Sequence, residues 1–122
     1  MKQYLLSVCY PAGSTQPTPD LLTKIMSDVS AVQKEMQAAG VWLFSGGLHS
    51  PSSATVLRHQ NGDIVTTDGP FIETKEVLGG YWLVEANSKE ELLKWVQRCP
   101  ADEGDVIEIR QTFDKADFAI KT

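Results

Sequence analysis

From Gln3 to Tyr10 apolar side chains fall on both parities of the chain, with Tyr4, Leu6, Val8 and Tyr10 on one face and Leu5 and Cys9 on the other. A strand that is apolar on both faces belongs in the middle of a sheet, covered from each side. A Pro/Gly/Ser/Thr loop over 11–17 follows. Thr18 then reads as an N-cap, Pro19 as the first helical position and Asp20 as the acidic residue that a helix dipole favours. Leu22, Ile25, Met26, Val29, Val32 and Met36 recur at helical spacing until Gly40 closes the segment. Val41 to Phe44 is a short apolar strand running into a Gly46-Gly47-Leu48 turn. Thr55 to His59 and Ile64 to Thr67 are β-rich runs joined through Asn61-Gly62, a pair suited to a type I′ turn in which both central residues need positive φ. Leu78 to Ala86 is a further strand whose Gly79-Gly80 pair marks a bulge or a close backbone approach. Ser88-Lys89-Glu90-Glu91 is a capping box opening a second helix with Leu92, Leu93, Val96 and Cys99 as its apolar positions, ended by Pro100. Val106 to Gln111 is the last strand, and residues 112–122 form a tail carrying Phe113, Phe118 and Ile120.

The order is β-α-β-(β-β)-β-α-β. Without the inserted hairpin it is a ferredoxin-like βαββαβ unit of the α+β class, an antiparallel sheet with two helices on one face. One domain is expected over 1–122, its core within about 1–111. The sheet's second face carries large apolar groups that need cover, and a second copy of the chain is the obvious cover, so a homodimer is expected.

Composition narrows the function classes. The chain has 122 residues, 42% hydrophobic and 22% charged, with a net charge of −5. A core forms without disulfide or metal staples, and no basic stripe is present to displace counterions from nucleic acid. No apolar run approaches the roughly 20 residues of a membrane span. The apolar start over Tyr4–Tyr10 reads as a strand rather than a signal peptide. Cys9 and Cys99 stand in unrelated contexts, as expected of two free thiols in a reducing cytoplasm. No phosphate loop, dinucleotide fingerprint, nucleophile elbow or metal-ligand spacing is present, so neither cofactor nor metal is expected.

The segment Thr66-Thr67-Asp68-Gly69-Pro70-Phe71-Ile72-Glu73-Thr74-Lys75-Glu76, followed by Leu78-Gly79-Gly80-Tyr81, is more specific than turn chemistry. It closely resembles the signature of the DGPF proteins, a branch of the YCII-related family. Gly46-Gly47-Leu48, Thr55-Val56, Arg98-Cys99-Pro100 and Glu108-Ile109-Arg110 also fall where that family has them. Gln111 departs from the proline usual after the arginine, and the tail has no counterpart. The resemblance implies the dimeric α/β-barrel version of the ferredoxin-like fold. It also implies a function from one of two classes: some members are encoded beside extracytoplasmic-function-type sigma factors, while in the wider family a His–Asp pair has been proposed as an acid/base centre.

Candidate residues follow. Asp68, at a strand end, is either a general base or a turn carboxylate bonded to nearby backbone N–H groups. His49, on a loop, is the better placed of the two histidines to act as its acid/base partner, since imidazole titrates near neutrality. Glu73, Lys75 and Glu76 crowd one loop and form a pocket rim, a dimer contact or a solvated face. Arg58 and Arg110 lie on strands. Val106, Glu108 and Arg110 share a face opposite Ile107 and Ile109, so Arg110 either pairs with Glu108 or holds an anionic ligand group. Trp42, Phe44, Tyr81 and Trp82 either line an apolar pocket in part or, as the default for strand aromatics, serve core or dimer packing.

Two readings result. In one, the protein binds a small organic, anionic molecule in a barrel pocket and performs cofactor-independent lyase or isomerase chemistry at Asp68 with His49, the substrate held by Arg110, Glu73, Lys75, Glu76 and Arg58. In the other, it is a non-catalytic dimeric regulatory or interaction protein linked to sigma factors.

Overall fold

The computed structural model describes residues 1–14, 17–101, 103–114 and 117. Phe118 and Ile120 of the tail therefore lie outside the described residues. Four antiparallel strands form the main sheet: β1 (Lys2–Pro11), β2 (Trp42–Gly47), β5 (Glu76–Ala86) and β6 (Val106–Gln111), in the order β2-β5-β1-β6. That is the ferredoxin-like order, with β1 central as its two apolar faces require. The remaining strands, β3 (Thr55–Gln60) and β4 (Asp63–Asp68), pair only with each other as a separate hairpin. Asn61 (φ 50°) and Gly62 (φ 82°) both take positive φ at its tip, as a type I′ turn demands.

Helix α1 (Pro19–Ala38) starts where the cap chemistry places it: Thr18 Oγ1 accepts the Leu21 N–H at 3.3 Å, with proline in the first turn. Gly40, at φ 74°, turns the chain out of it. Helix α2 (Lys89–Val96) opens on Ser88, whose hydroxyl accepts the Glu91 N–H at 3.2 Å. Both helices cover one sheet face. Met36 of α1 and Leu92 of α2 close over Tyr4, Leu6, Trp82 and Val84, with Val41 and Ala86 completing the core. Ile107 and Ile109 pack against the same core from β6.

Several expectations are corrected in detail. Gly46 and Gly47 are strand residues of β2, not a turn. The reason is packing: a Cβ on Gly46 would stand 3.0 Å from Tyr81 Oη, so the Tyr81 ring needs a glycine beneath it. Leu22 and Met26 are exposed, because the first half of α1 runs past the buried cluster and contributes only the half-buried Ile25 to its inner side. Helix α2 ends at Val96, before Pro100, and Leu93 lies outside the core. Between Val8 and Cys9 the β1–β5 register shifts by one, placing Gly79 as the unpaired bulge residue, so the Gly79-Gly80 pair does mark a bulge.

Candidate functional site

The sheet face away from the helices carries Leu5, Ser7 and Cys9 of β1 beside Val106, Glu108 and Arg110 of β6. On its other side Phe44 of β2 stacks on Tyr81 of β5, their ring centroids 5.9 Å apart at 29°. At one end of this open face the chain builds a cleft of about 830 Å³. Its floor is Cys9 and Leu78, paired across β1 and β5. One wall is the 70–74 loop, led by Phe71 and Ile72; the other is Leu48, Pro51 and the start of β3 at Val56.

Short backbone ties hold this loop in place. The Gly69 N–H donates to Ala54 O at 2.6 Å, with Gly69 at φ 95°, a conformation that glycine adopts without strain. Arg58 Nη2 donates to Phe71 O at 2.9 Å, and the Ala12 N–H donates to Lys75 O at 2.8 Å. Thr74 Oγ1 donates to the Glu76 carbonyl. The Leu48 N–H donates to Gly79 O at 2.9 Å, which ties the far wall to the sheet.

The residues singled out by sequence reach this site unequally. Glu73 and Glu76 line it, and among the described residues they are the only charged ones in the lining. Asp68 ends β4 opposite Thr55, one residue before the Gly69-Pro70 turn; it is exposed and outside the lining. Among the described residues its carboxylate makes no hydrogen bond or ion pair, and the turn is closed by backbone, so Asp68 does not serve as the turn's side-chain cap. His49 follows the lining residue Leu48 but is itself exposed and not part of the lining. The Lys75 side chain is exposed and likewise outside it, while Arg58 is committed to the loop carbonyl. Arg110 pairs with Glu108 at 2.7 Å on the open face, so the two charges satisfy each other. The two acid–base candidates thus lie outside the lining, which is mostly apolar apart from Glu73, Glu76 and three hydroxyl side chains.

Cys9 was not singled out from sequence as a site residue, yet it forms the floor. Its signal was the parity of β1, where Leu5, Ser7 and Cys9 share the face that the helices do not cover. Burial pushes the Cys9 thiol above its ordinary pKa, and the carboxylates of Glu76 and Glu108 push it further the same way. Burial also raises Cys99, against the opposing pull of Arg98. Arg98 itself lies over the Trp95 ring, 5.0 Å from its centroid, and pairs with Glu35 on the far side of the molecule. Among the described residues no group of histidine, cysteine and carboxylate side chains comes together to hold a metal ion, and no helix is long and apolar enough to cross a membrane.

An uncharacterized protein of Rhizobium meliloti (strain 1021) is 38% identical over 74 residues, a match spanning 61% of this chain and 60% of that protein, less than two thirds of either. A family model, the YCII-related domain, matches residues 4–115, from the first core residue of β1 past the end of β6. The match takes in both helices, the hairpin and every wall of the cleft, and by it the chain belongs to the YCII-related family.

Proposed function

We propose that this protein binds a small organic molecule in the cleft between the 70–74 loop and the open sheet face. The observation that carries the reading is the cleft itself. Its volume of about 830 Å³ lies within the range of small-molecule sites, and its mostly apolar lining with two acidic residues matches the usual composition of such sites. The DGPF segment, Asp68 to Phe71, contributes Pro70 and Phe71 to one wall, which gives that signature a role in shaping a pocket. The protein works as a homodimer in this reading. Phe44 and Val106 leave 54% and 41% of their surface exposed on the open face, and a second copy is the cover that such a patch calls for. Two free cysteines suit a reducing cytoplasm.

Binding comes ahead of catalysis. Asp68 and His49 lie beside the cleft, where they would reach a ligand that projects from its mouth, and lyase or isomerase chemistry at Asp68 is the enzymatic form of the proposal. The non-catalytic, regulatory form is favoured by the position of both residues outside the lining. The test is an amide-shift NMR screen of small apolar compounds, followed by turnover assays on every hit with wild type and Asp68→Asn. Shifts clustered on Cys9, Leu78 and Ile72 support the site. Hits that scatter over the surface or map to the helical face refute it. Turnover lost in Asp68→Asn selects the enzyme, and binding without turnover selects the regulator, whose sigma-factor partner is then sought by co-purification.

A further inference from the structure

We propose that the ligand of this cleft is an apolar molecule bearing a basic nitrogen, an amine that is protonated at neutral pH. The inference rests on the cleft being a binding site and adds the sign of the charge that it accepts.

Every charged group in the lining is a carboxylate: Glu73 on the loop and Glu76 at the start of β5. The cations that sequence suggested for an anionic ligand are engaged or lie elsewhere. Arg58 donates to the Phe71 carbonyl, and Arg110 is paired with Glu108 at 2.7 Å. Lys75 lies between the two glutamates in sequence, but its side chain is outside the lining and forms no ion pair among the described residues. His49 is also outside the lining. An anionic ligand would therefore leave water to face two like charges, with no cationic side chain among the described lining residues. An ammonium group would enter a cleft whose charged lining residues, among those described, are Glu73 and Glu76, with Cys9 and Leu78 beside them in the lining. Burial is the main reason the Cys9 thiol is raised, and the Glu76 carboxylate of the lining, with Glu108 outside it, pushes the same way. Phe71 and Ile72, which leave 70% and 55% of their surface exposed at the cleft, supply the apolar surface that the rest of such a ligand would cover.

The experiment uses three probes of one shape and different charge: phenylbutylamine, phenylbutanol and phenylbutyrate. Each is titrated into the full-length protein and followed by amide shifts of Cys9, Leu78 and Ile72. The expected order of affinity is amine, then alcohol, then acid. Glu73→Gln and Glu76→Gln together should reduce the amine's affinity by about tenfold, in line with two part-exposed charge pairs, and leave the alcohol unchanged. Raising the salt concentration should shrink the amine's advantage in wild type. Equal affinity for amine and alcohol overturns the charge assignment while leaving the cleft as a binding site, as does tighter binding of the acid. An amine advantage that survives the double substitution overturns the role of these two residues. Failure of all three probes to shift the cleft amides overturns the binding reading, and this inference with it.

Discussion

Replacing Asp68 with asparagine removes a charge and leaves the shape of the side chain almost unchanged. If the carboxylate capped the Asp68-Gly69-Pro70 turn, its loss would weaken a hydrogen bond to backbone and cost about 1–2 kcal/mol. The geometry assigns that work elsewhere. The Gly69 N–H goes to Ala54 O at 2.6 Å, Phe71 O receives Arg58, and the exposed Asp68 carboxylate contacts neither. The expected change on Asp68→Asn is therefore within about 0.5 kcal/mol, the ordinary range for a surface substitution. Arg58→Met is the companion variant: it removes a hydrogen bond from a charged donor and should cost about 1 kcal/mol, moving the thermal midpoint by roughly 4 °C for a domain near this size. The assay is urea denaturation of the three proteins at matched protomer concentration, because the apparent stability of an assembling protein depends on concentration. A loss above about 1 kcal/mol in Asp68→Asn, at unchanged denaturant slope, would refute the backbone account of the turn. So would an Arg58→Met variant as stable as wild type.

The two neighbouring leucines of α2 should separate sharply: Leu92→Ala, at a fully buried position, is expected to cost about 2–5 kcal/mol, and Leu93→Ala, 36% exposed, under about 1 kcal/mol, both read by chemical denaturation. Cys9 holds its proton longer in the folded state than in the unfolded chain. Its contribution to stability is thus fully present below the ordinary thiol pKa and is lost as pH rises through the raised folded value, while iodoacetamide labelling at neutral pH should be slower than for a free thiol and faster in Glu76→Gln. Light scattering should give a dimer at micromolar concentration, and Phe44→Asp, a charge placed on the open face, should shift it toward monomer; a monomeric wild type would dispose of the dimer proposal.

Local rules carried most of the fold. Thr18, Ser88 and Asn61-Gly62 each act through residues no more than three positions away, and the structure has those caps and that turn where the sequence places them. The Val106–Gln111 strand and its division into isoleucine and Glu108/Arg110 faces follow from alternation alone. What escaped depends on partners far along the chain. Gly46 reads as a turn residue until the Tyr81 ring above it is known. Leu22 and Met26 satisfy a helical stripe whose end has no core to face. The cleft joins Cys9, Leu48 and Ile72, and no spacing rule links these positions. Asp68 stands in a distinctive segment, but the part of that segment forming the wall is the 70–74 stretch led by the apolar pair Phe71 and Ile72.

The bulge at Gly79 gives β5 two phases of alternation. From Gly80 onward the even positions Trp82, Val84 and Ala86 point to the helices. Unbroken alternation would send Leu78 and Glu76 to the same side. The extra residue inverts the phase, pairing Leu78 with Cys9 and Glu76 with Pro11, so that both turn toward the cleft. One glycine thereby separates a stretch that must satisfy a close-packed interior from a stretch that lines a site. Substitutions over 76–78 can then retune the cleft without disturbing the packing of Trp82 and Val84. Deleting Gly79 would instead turn Glu76 and Leu78 to the helical side of the sheet and take Leu78 off the cleft floor in a single step.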